Sequence, residues 1–297
     1  MTGSFVTRQL RASLTLPQGT FPSTNSNTLV LTGLRMSAHL EQSGNFTNSC
    51  DLRIYGMRQM DMSAVTTVFV NQNGVPYDPV AQAIVTLEVL QAPAAPLIVF
   101  SGQFLESQPD YTAAPDVCLH AQALTGYAAQ LTTPQPLSFK DSVDAVQVAS
   151  QLAQAMGFVL EPNGAQAKLH APYLSGSLME QFQSVVEAAN LDFYFGPDGK
   201  TIFLCPKNKG RQGKVPVPVN PQTGLVGYPT LQRYGIEIIT LFNLAIELGA
   251  PVQVSGSTVP GCDGTWFPFS MSHELETIKP GGKWFSRLAC MPFQGSA

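Results

Sequence analysis

Histidines, cysteines and carboxylates are the side chains here that could act as ligands, bases or nucleophiles, and their spacing builds no reactive set. The four histidines are His39, His120, His170 and His273. A helical zinc site needs two of them one turn apart, as in H-E-x-x-H, so that both face the metal. His273-Glu274 is instead followed by Leu275 and Glu276. Each histidine therefore reads as a strand residue. Cys50, Cys118, Cys205, Cys262 and Cys290 are odd in number, widely spaced and without a C-x-x-C pair, so they read as buried free thiols and not as a zinc or iron–sulfur set. There is no G-x-S-x-G nucleophile elbow and no G-x-G-x-x-G dinucleotide loop. The basic stretch ending in Gly213-Lys214 fails the phosphate-loop pattern twice, with Asn208 in place of the first glycine and Val215 in place of the hydroxyl residue. No metal and no cofactor is expected.

Carboxylates such as Asp110, Glu161, Glu180, Glu187, Asp263 and Glu276 form no tight acidic motif. Glycosidase carboxylates need not be close in sequence, so a cell-wall hydrolase stays open as an alternative without positive support. Glu180 and Glu187 lie a heptad apart on an amphipathic pattern and read as solvent-facing. Trp266 and Trp284 could serve as sugar platforms, but core or interface anchors are the preferred reading.

The elements that would have to hold any site follow from periodicity. Residues 1–135 read as a β-barrel or sandwich. Its strands are expected at Ser4–Thr15, Thr28–Gly33, Met36–Leu40, Cys50–Tyr55, Ala83–Leu90 and Leu97–Phe104, with turns at Pro17–Gly19, Ser43–Asn45 and Asn71–Gly74. Arg58–Val68 is ambiguous, with methionines that suit a short helix. Asn45-Phe46-Thr47 matches a glycosylation acceptor but reads only as a loop. After Pro134-Gln135-Pro136 the period changes. Residues 136–206 read as a compact α/β module. Its first helix is capped at Asp141-Ser142 and ended by Gly157, a hairpin-like pair flanks Pro162-Asn163-Gly164, a second helix starts near Ser177, and a second hairpin turns at Pro197-Asp198-Gly199. Lys207–Pro221 reads as a solvated linker, with docking on an acidic neighbour as the alternative. Residues 222–297 read as a second small barrel, with strands at Ile236–Thr240, Ala245–Leu248, Val252–Ser255, Trp266–His273 and Trp284–Cys290. The fold class is thus mainly β with an α+β insert: two small β-barrel domains flanking a compact two-helix α/β module.

Composition restricts the partners. Charged residues make up 12% of the chain, about half the usual ~25%. The surface must then be covered by uncharged polar groups or by other subunits. A net charge of -4 gives no basic field for nucleic acid. No apolar run approaches the ~20 residues of a membrane span, and the N-terminus lacks an apolar leader core. The sequence predicts a soluble chain made in a cytoplasm.

Thr223–Pro251 is specific in pattern and chemically inert, as if built to pack and dock. It is also where a resemblance is strongest. TGLVGYPTLQRYGIEIITLFN (Thr223–Asn243), with LTGLRMSAHLEQSG (Leu31–Gly44), DLRIYGM (Asp51–Met57), FSGQFLESQPDYTAAPDVCLHAQAL (Phe100–Leu124) and MSHELETIKPGGKWFSRLACMP (Met271–Pro292), resembles the baseplate hub proteins of contractile-tailed bacteriophages. The resemblance touches all three expected modules and is weakest over Met57–Pro79. It implies a structural, non-enzymatic homotrimer with two related barrels per subunit. Such a ring matches the six-fold tail-tube protein or tube initiator above to the three-fold central spike below, with baseplate wedge proteins outside. It implies a place in the virion tail, assembly in the host bacterial cytoplasm, and no specific nucleic-acid contact. The chain is short for this class, leaving no room for a fused lysozyme or needle. A spike or hub component of a type VI-like contractile injection system is the related alternative. The interface residues expected are Leu225, Tyr228, Ile236, Ile238, Phe242, Trp266, Trp284 and Phe285. Gly224, Gly227 and Gly235 are expected at turns or bulges.

Overall fold

The computed structural model describes residues 8–67, 83–91, 93–259 and 261–294. The start of the first expected strand and the turn expected at Asn71–Gly74 lie outside the described residues. The fold is mainly β with a small two-helix module, as the sequence predicts. The chain divides into two compact units. The first comprises Met1–Leu40, Asn48–Tyr127 and Glu274–Trp284; the second comprises Glu41–Thr47, Ala128–His273 and Phe285–Ala297.

In the first unit the strands are β1 (Arg8–Thr15), β2 (Thr28–Leu31), β3 (Met36–Ser43, whose last residues pass into the second unit), β4 (Ser49–Tyr55), β5 (Ile84–Gln91), β6 (Leu97–Asp110) and β7 (Cys118–Leu124). Their order is β2-β1-β5-β6-β7-β4-β3. Alternation builds the core: Leu10, Ala12 and Leu14 of β1, Val85, Leu87 and Val89 of β5, and Leu52 and Ile54 of β4 all point inward and are buried. On the outer face Arg11, directly opposite Glu88, donates to both carboxylate oxygens at 2.6 and 2.7 Å. The ambiguous methionine segment is helix α1 (Gln59–Ala64), with Met62 buried. The strand β7 carries its alternation largely on alanines, which makes a weak hydrophobic signal.

The second unit holds the helical module. After α2 (Tyr127–Leu131) come β8 (Leu137–Ser138), β9 (Ser142–Asp144), α3 (Ala145–Ala155), β10 (Val159–Pro162), β11 (Lys168–His170), β12 (Tyr173–Leu174), α4 (Leu178–Ala188), β13 (Leu191–Phe195) and β14 (Thr201–Pro206). The first helix starts later than expected. Ser142–Asp144 pairs with β11, and Asp144 is the N-cap, its Oδ1 accepting from the backbone of Val146 at 2.8 Å and Gln147 at 3.3 Å. The second helix opens with a capping box between Ser177 and Glu180. The hairpin expected around Pro162-Asn163-Gly164 does not form. β10 runs parallel to β14, while β11 pairs back to β9. Packing outweighs the turn signal here: Phe158, just past Gly157, enters the helical core and meets the Phe195 ring edge-on at 5.1 Å. Phe193 meets Phe182 and Phe195 in the same way. The second expected hairpin, β13–β14, does form, with Asp198 holding the turn through Lys200 N and Thr201.

The remaining strands of this unit are β15 (Val217–Val219), β16 (Leu225–Gln232), β17 (Gly235–Leu241), β18 (Val252–Val254), β19 (Gly264–Thr277, whose last residues pass into the first unit) and β20 (Trp284–Pro292). The expected strand Ala245–Leu248 is a series of turns. Asn243 Oδ1 accepts from Ala245 N at 3.0 Å, and Ile246 and Leu248 are buried from a loop and not from a pleat. Lys207–Pro221 is more tightly held than a solvated linker. Arg211 is buried, its guanidinium 3.5 Å from the Phe203 ring centroid and 2.5 Å from Glu247, and Val217–Val219 pairs in parallel with β18.

All five cysteines are free and buried, and burial raises the pKa of each thiol. For Cys205 the value is pushed up to about 12 from 9.0, mainly by desolvation. An acid whose folded pKa is raised favours the fold fully below its unfolded pKa, and that contribution fades as pH rises towards the folded value. The urea midpoint is therefore expected to fall steadily between pH 9 and pH 11. Ellman's reagent at pH 8 is expected to label no thiol in the native chain and five in urea. Rapid native labelling, or a flat alkaline profile, would contradict this burial.

Candidate assembly surface

The four histidines converge on no reactive centre, and no group of three or more metal-ligating side chains occurs among the described residues. His273 Nδ1 lies 2.7 Å from Ser286 Oγ, a spacing that suits a base and a nucleophile. Both residues are buried, and the Phe242 ring lies edge-on to the imidazole at 5.3 Å, so a substrate has no route to the hydroxyl. His120 Nε2 sits 3.1 Å from Asp51 Oδ2 on an exposed sheet face with no nucleophile among its hydrogen-bond partners.

The feature that stands out is the hairpin β16–β17. Among described strands β16 is hydrogen-bonded to β17 alone, so it forms an edge. Its loop is the two residues Arg233 and Tyr234 between the Gln232–Gly235 pair. Along and beside it, Tyr228 is 70% exposed, Leu231 59%, Tyr234 65%, Leu241 49% and Phe285 36%. Single exposed apolar residues are ordinary, but several on one hairpin and its neighbouring strand make this a candidate contact surface.

The local backbone explains the exposure. The pairing runs from Val226–Ile239 to Thr230–Glu237, so four steps along β16 span two along β17. This bulge takes in Gly227, at φ +68°, and buried Pro229, and it turns the Tyr228 ring outward. A bulge and a proline also spoil the ladder for any arbitrary incoming strand, so recognition here rests on side chains. On the next strand pair, Leu241 faces Phe285 directly, and Arg287 reaches diagonally to Glu237 at 2.6 Å. The outer face thus has an apolar end and a charged end.

The expected interface residues do not share one environment. Tyr228 and Phe285 are exposed on this surface, and Leu225 is partly buried at its start. Ile236, Ile238 and Phe242 are buried side chains of the second unit. Trp266 packs against that core and donates Nε1–H to Cys262 O at 2.9 Å. Trp284 belongs to the first unit and is partly buried, with the Arg8 guanidinium 6.0 Å from its ring. Leu231, Tyr234 and Leu241 were not among the expected residues; their signal was a large apolar or aromatic side chain in or near a two-residue loop, interrupted by Thr230, Gln232 and Glu237.

Residue Asn45, expected only as a loop residue, closes the opposite kind of edge. At φ 64° it directs its backbone N–H to Phe193 O at 2.9 Å, its Oδ1 accepts from Phe193 N at 3.0 Å, and its Nδ2 donates to Asp192 Oδ1 at 2.8 Å. The side chain imitates a strand's peptide group along β13, all of whose residues are buried. The other edge of that small sheet, β10, is four residues long and ends in Pro162. Both edges of the module are therefore blunted, whereas β16 presents eight residues.

No curated protein matches the sequence. The fold is shared with proteins of known structure at low identity. A type VI secretion system component from E. coli, c3393, is 7% identical and covers 88% of this chain and 74% of its own, with a TM-score of 0.61. The 43 kDa tail protein of prophage MuSo2 from Shewanella oneidensis is 8% identical, with 96% and 97% covered and a TM-score of 0.60. A tail protein from Neisseria meningitidis MC58 is 10% identical, with 95% and 96% covered and a TM-score of 0.59. The family described as baseplate hub gp41 matches residues 10–279, which include the edge hairpin, the module and the strands of the first unit. With nearly the whole chain matched, this protein belongs to the baseplate hub gp41 family of phage tail structural proteins.

Proposed function

We propose that the chain works as a homotrimeric, non-enzymatic hub that joins a six-fold tail tube to a three-fold central spike, with wedge proteins around it, during tail assembly and host penetration. The reading is carried by the exposed apolar edge hairpin of β16 and β17. Family membership supports the baseplate setting, and two mainly β units per chain give six in a trimer, the count a six-fold tube needs. A ring of heterologous contacts closes when each subunit offers one such surface to the next. Many modest, shape-fitted contacts suit this task better than one reactive site. The fold shared with a type VI secretion component supports a second reading, a hub of a contractile injection machine, which adjacent capsid and terminase genes would argue against.

The test is the mass of the purified chain, alone and with its spike, for the native protein and for the combined variant Tyr228→Ser, Leu231→Ser, Tyr234→Ser. These positions are exposed, so the variant is expected to keep its melting temperature within a few degrees. Three apolar anchors lost from an interface cost on the order of 1–2 kcal/mol each, enough to weaken association at least 100-fold. The native chain is expected as a trimer, by itself or on the spike, and the variant as a monomer at the same concentration. A native chain that stays monomeric in both conditions would sink the trimer reading. A variant that still trimerises would move the interface away from β16.

A further inference from the structure

The outer sheet face of the first unit carries a polar cleft of about 300 Å³, lined in part by Arg35, Asp51, Arg53, Tyr55, Glu276 and Lys279. Its charges are unevenly committed. Asp51 is held by His120 at 3.1 Å. Glu276 accepts from Lys279 Nζ at 2.7 Å and from Lys283 N at 3.0 Å. Asp110, whose charge acts on the same strand pair, is engaged by Thr112 through backbone and hydroxyl at 2.9 and 2.6 Å. The nearby acids are thus satisfied within the unit. Arg53 is held more loosely: it is exposed, sits opposite His120 in the β4–β7 register, and is reached by the charge of Asp110 without a hydrogen bond or close ion pair among the described residues. Arg35 stands beside it, its guanidinium 4.1 Å from the Tyr55 ring centroid and 3.3 Å from the exposed Asp116 carboxylate. Stacking fixes the guanidinium plane while leaving donors at its edge, which lowers the ordering cost of binding an anion.

A second feature adjoins the cleft. Ile278, next to Lys279 in the tip between β19 and β20, is 52% exposed at φ 53°. A β-branched residue in the left-handed region is strained, and such strain persists where a site needs the side chain presented. An apolar knob thus stands beside cations with unspent donors.

We infer that this cleft is a docking site for an acidic segment of a protein partner, whose carboxylate is taken by Arg53 and Arg35 beside the Ile278 side chain. The surrounding charge decides against a nucleic acid. A phosphate backbone wants a track of cations, whereas Asp51, Asp110, Asp116 and Glu276 stand around these arginines. A peptide carboxylate needs only the local pair, and the fork of an arginine matches it in two parallel hydrogen bonds. The inference does not depend on the edge hairpin or on the oligomeric state.

Fluorescence anisotropy of a labelled peptide with a single glutamate flanked by leucines tests it on the whole chain, with a labelled 12-base single-stranded oligonucleotide as the second probe. Saturable peptide binding is expected, weakening with salt, falling about tenfold in Arg53→Gln and further in Arg53→Glu. A control, Lys200→Glu, alters an exposed lysine of the second unit and is expected to bind as the native chain does. Circular dichroism melting checks that the variants fold, and Arg53→Gln covers the case in which charge reversal does not. Absence of saturable peptide binding overturns the proposal, as does equal binding by Arg53→Gln. Oligonucleotide binding that is as tight and as dependent on Arg53 would replace it with a nucleic-acid surface.

Discussion

Gly235→Ala is expected to lower stability by about 3 kcal/mol, the upper end of the usual cost of overpacking. Space is the reason. Gly235 begins β17, between its partner Gln232 on β16 and the end of β20. A Cβ built there collides with Cys290 O and falls 3.0 Å from its carbonyl carbon and 3.2 Å from Met291 Cα. These are ladder backbone atoms, which cannot swing aside as a side chain would. Gly227→Ala is the informative control. It also lies in the hairpin, at φ +68°, but a Cβ there meets nothing within 4 Å. Only the left-handed backbone then opposes alanine, at about 1 kcal/mol. Urea midpoints of the two variants should differ by a wide margin. If Gly235→Ala melts like Gly227→Ala, β17 does not approach β20 this closely.

Asn45→Ala should cost about 3 kcal/mol, although Asn45 is a turn residue in a segment of ordinary loop composition. The change removes both side-chain bonds of Asn45. It leaves Phe193 N without its acceptor and takes one donor from buried Asp192, whose other carboxylate oxygen accepts from Asn208 N at 2.7 Å. A buried donor left unsatisfied costs ~1–3 kcal/mol, a hydrogen bond to a charged acceptor ~1.5–3, and the left-handed φ adds a further penalty for alanine. Asn45→Asp should fare no better, since it sets a second carboxylate against Asp192. Hydrogen exchange gives a local readout: the Phe193 amide should lose protection in both variants before the helices do. Unchanged protection at Phe193 would mean that Asn45 does not seal β13.

The parts of this fold that could be read in advance are those decided within a few residues. Ser177 and Glu180 announce a helix start because the box they form spans only four residues. Pro197-Asp198-Gly199 announces a hairpin because Asp198 satisfies its own turn. Where partners lie far apart, local pattern pointed elsewhere. The Pro162-Asn163-Gly164 turn suggested a hairpin, but β10 takes its partner some 40 residues later, in β14. Arg211 sat among lysines, glycines and prolines and looked solvated, yet Phe203 and Glu247 hold it inside. Ala245–Leu248 alternated like a strand, while Asn243 turned it into a loop. The candidate surface divides in the same way. Tyr228 and Phe285 were legible as aromatics, but nothing local told Ile236 and Ile238, which are buried, from Leu231 and Leu241, which are exposed.

The order in which residues are joined to the two units has a consequence for synthesis. The first unit includes Glu274–Trp284, and the second includes Glu41–Thr47. Neither unit corresponds to one continuous stretch leaving the ribosome. At roughly 5–20 residues per second, translation takes on the order of ten seconds to pass from Tyr127 to Glu274. Over that interval the strands of the first unit are exposed without their last hairpin tip. A nascent chain thus carries an unfinished first unit for about half of its translation, and a ribosome stalled between Tyr127 and Glu274 leaves neither unit complete.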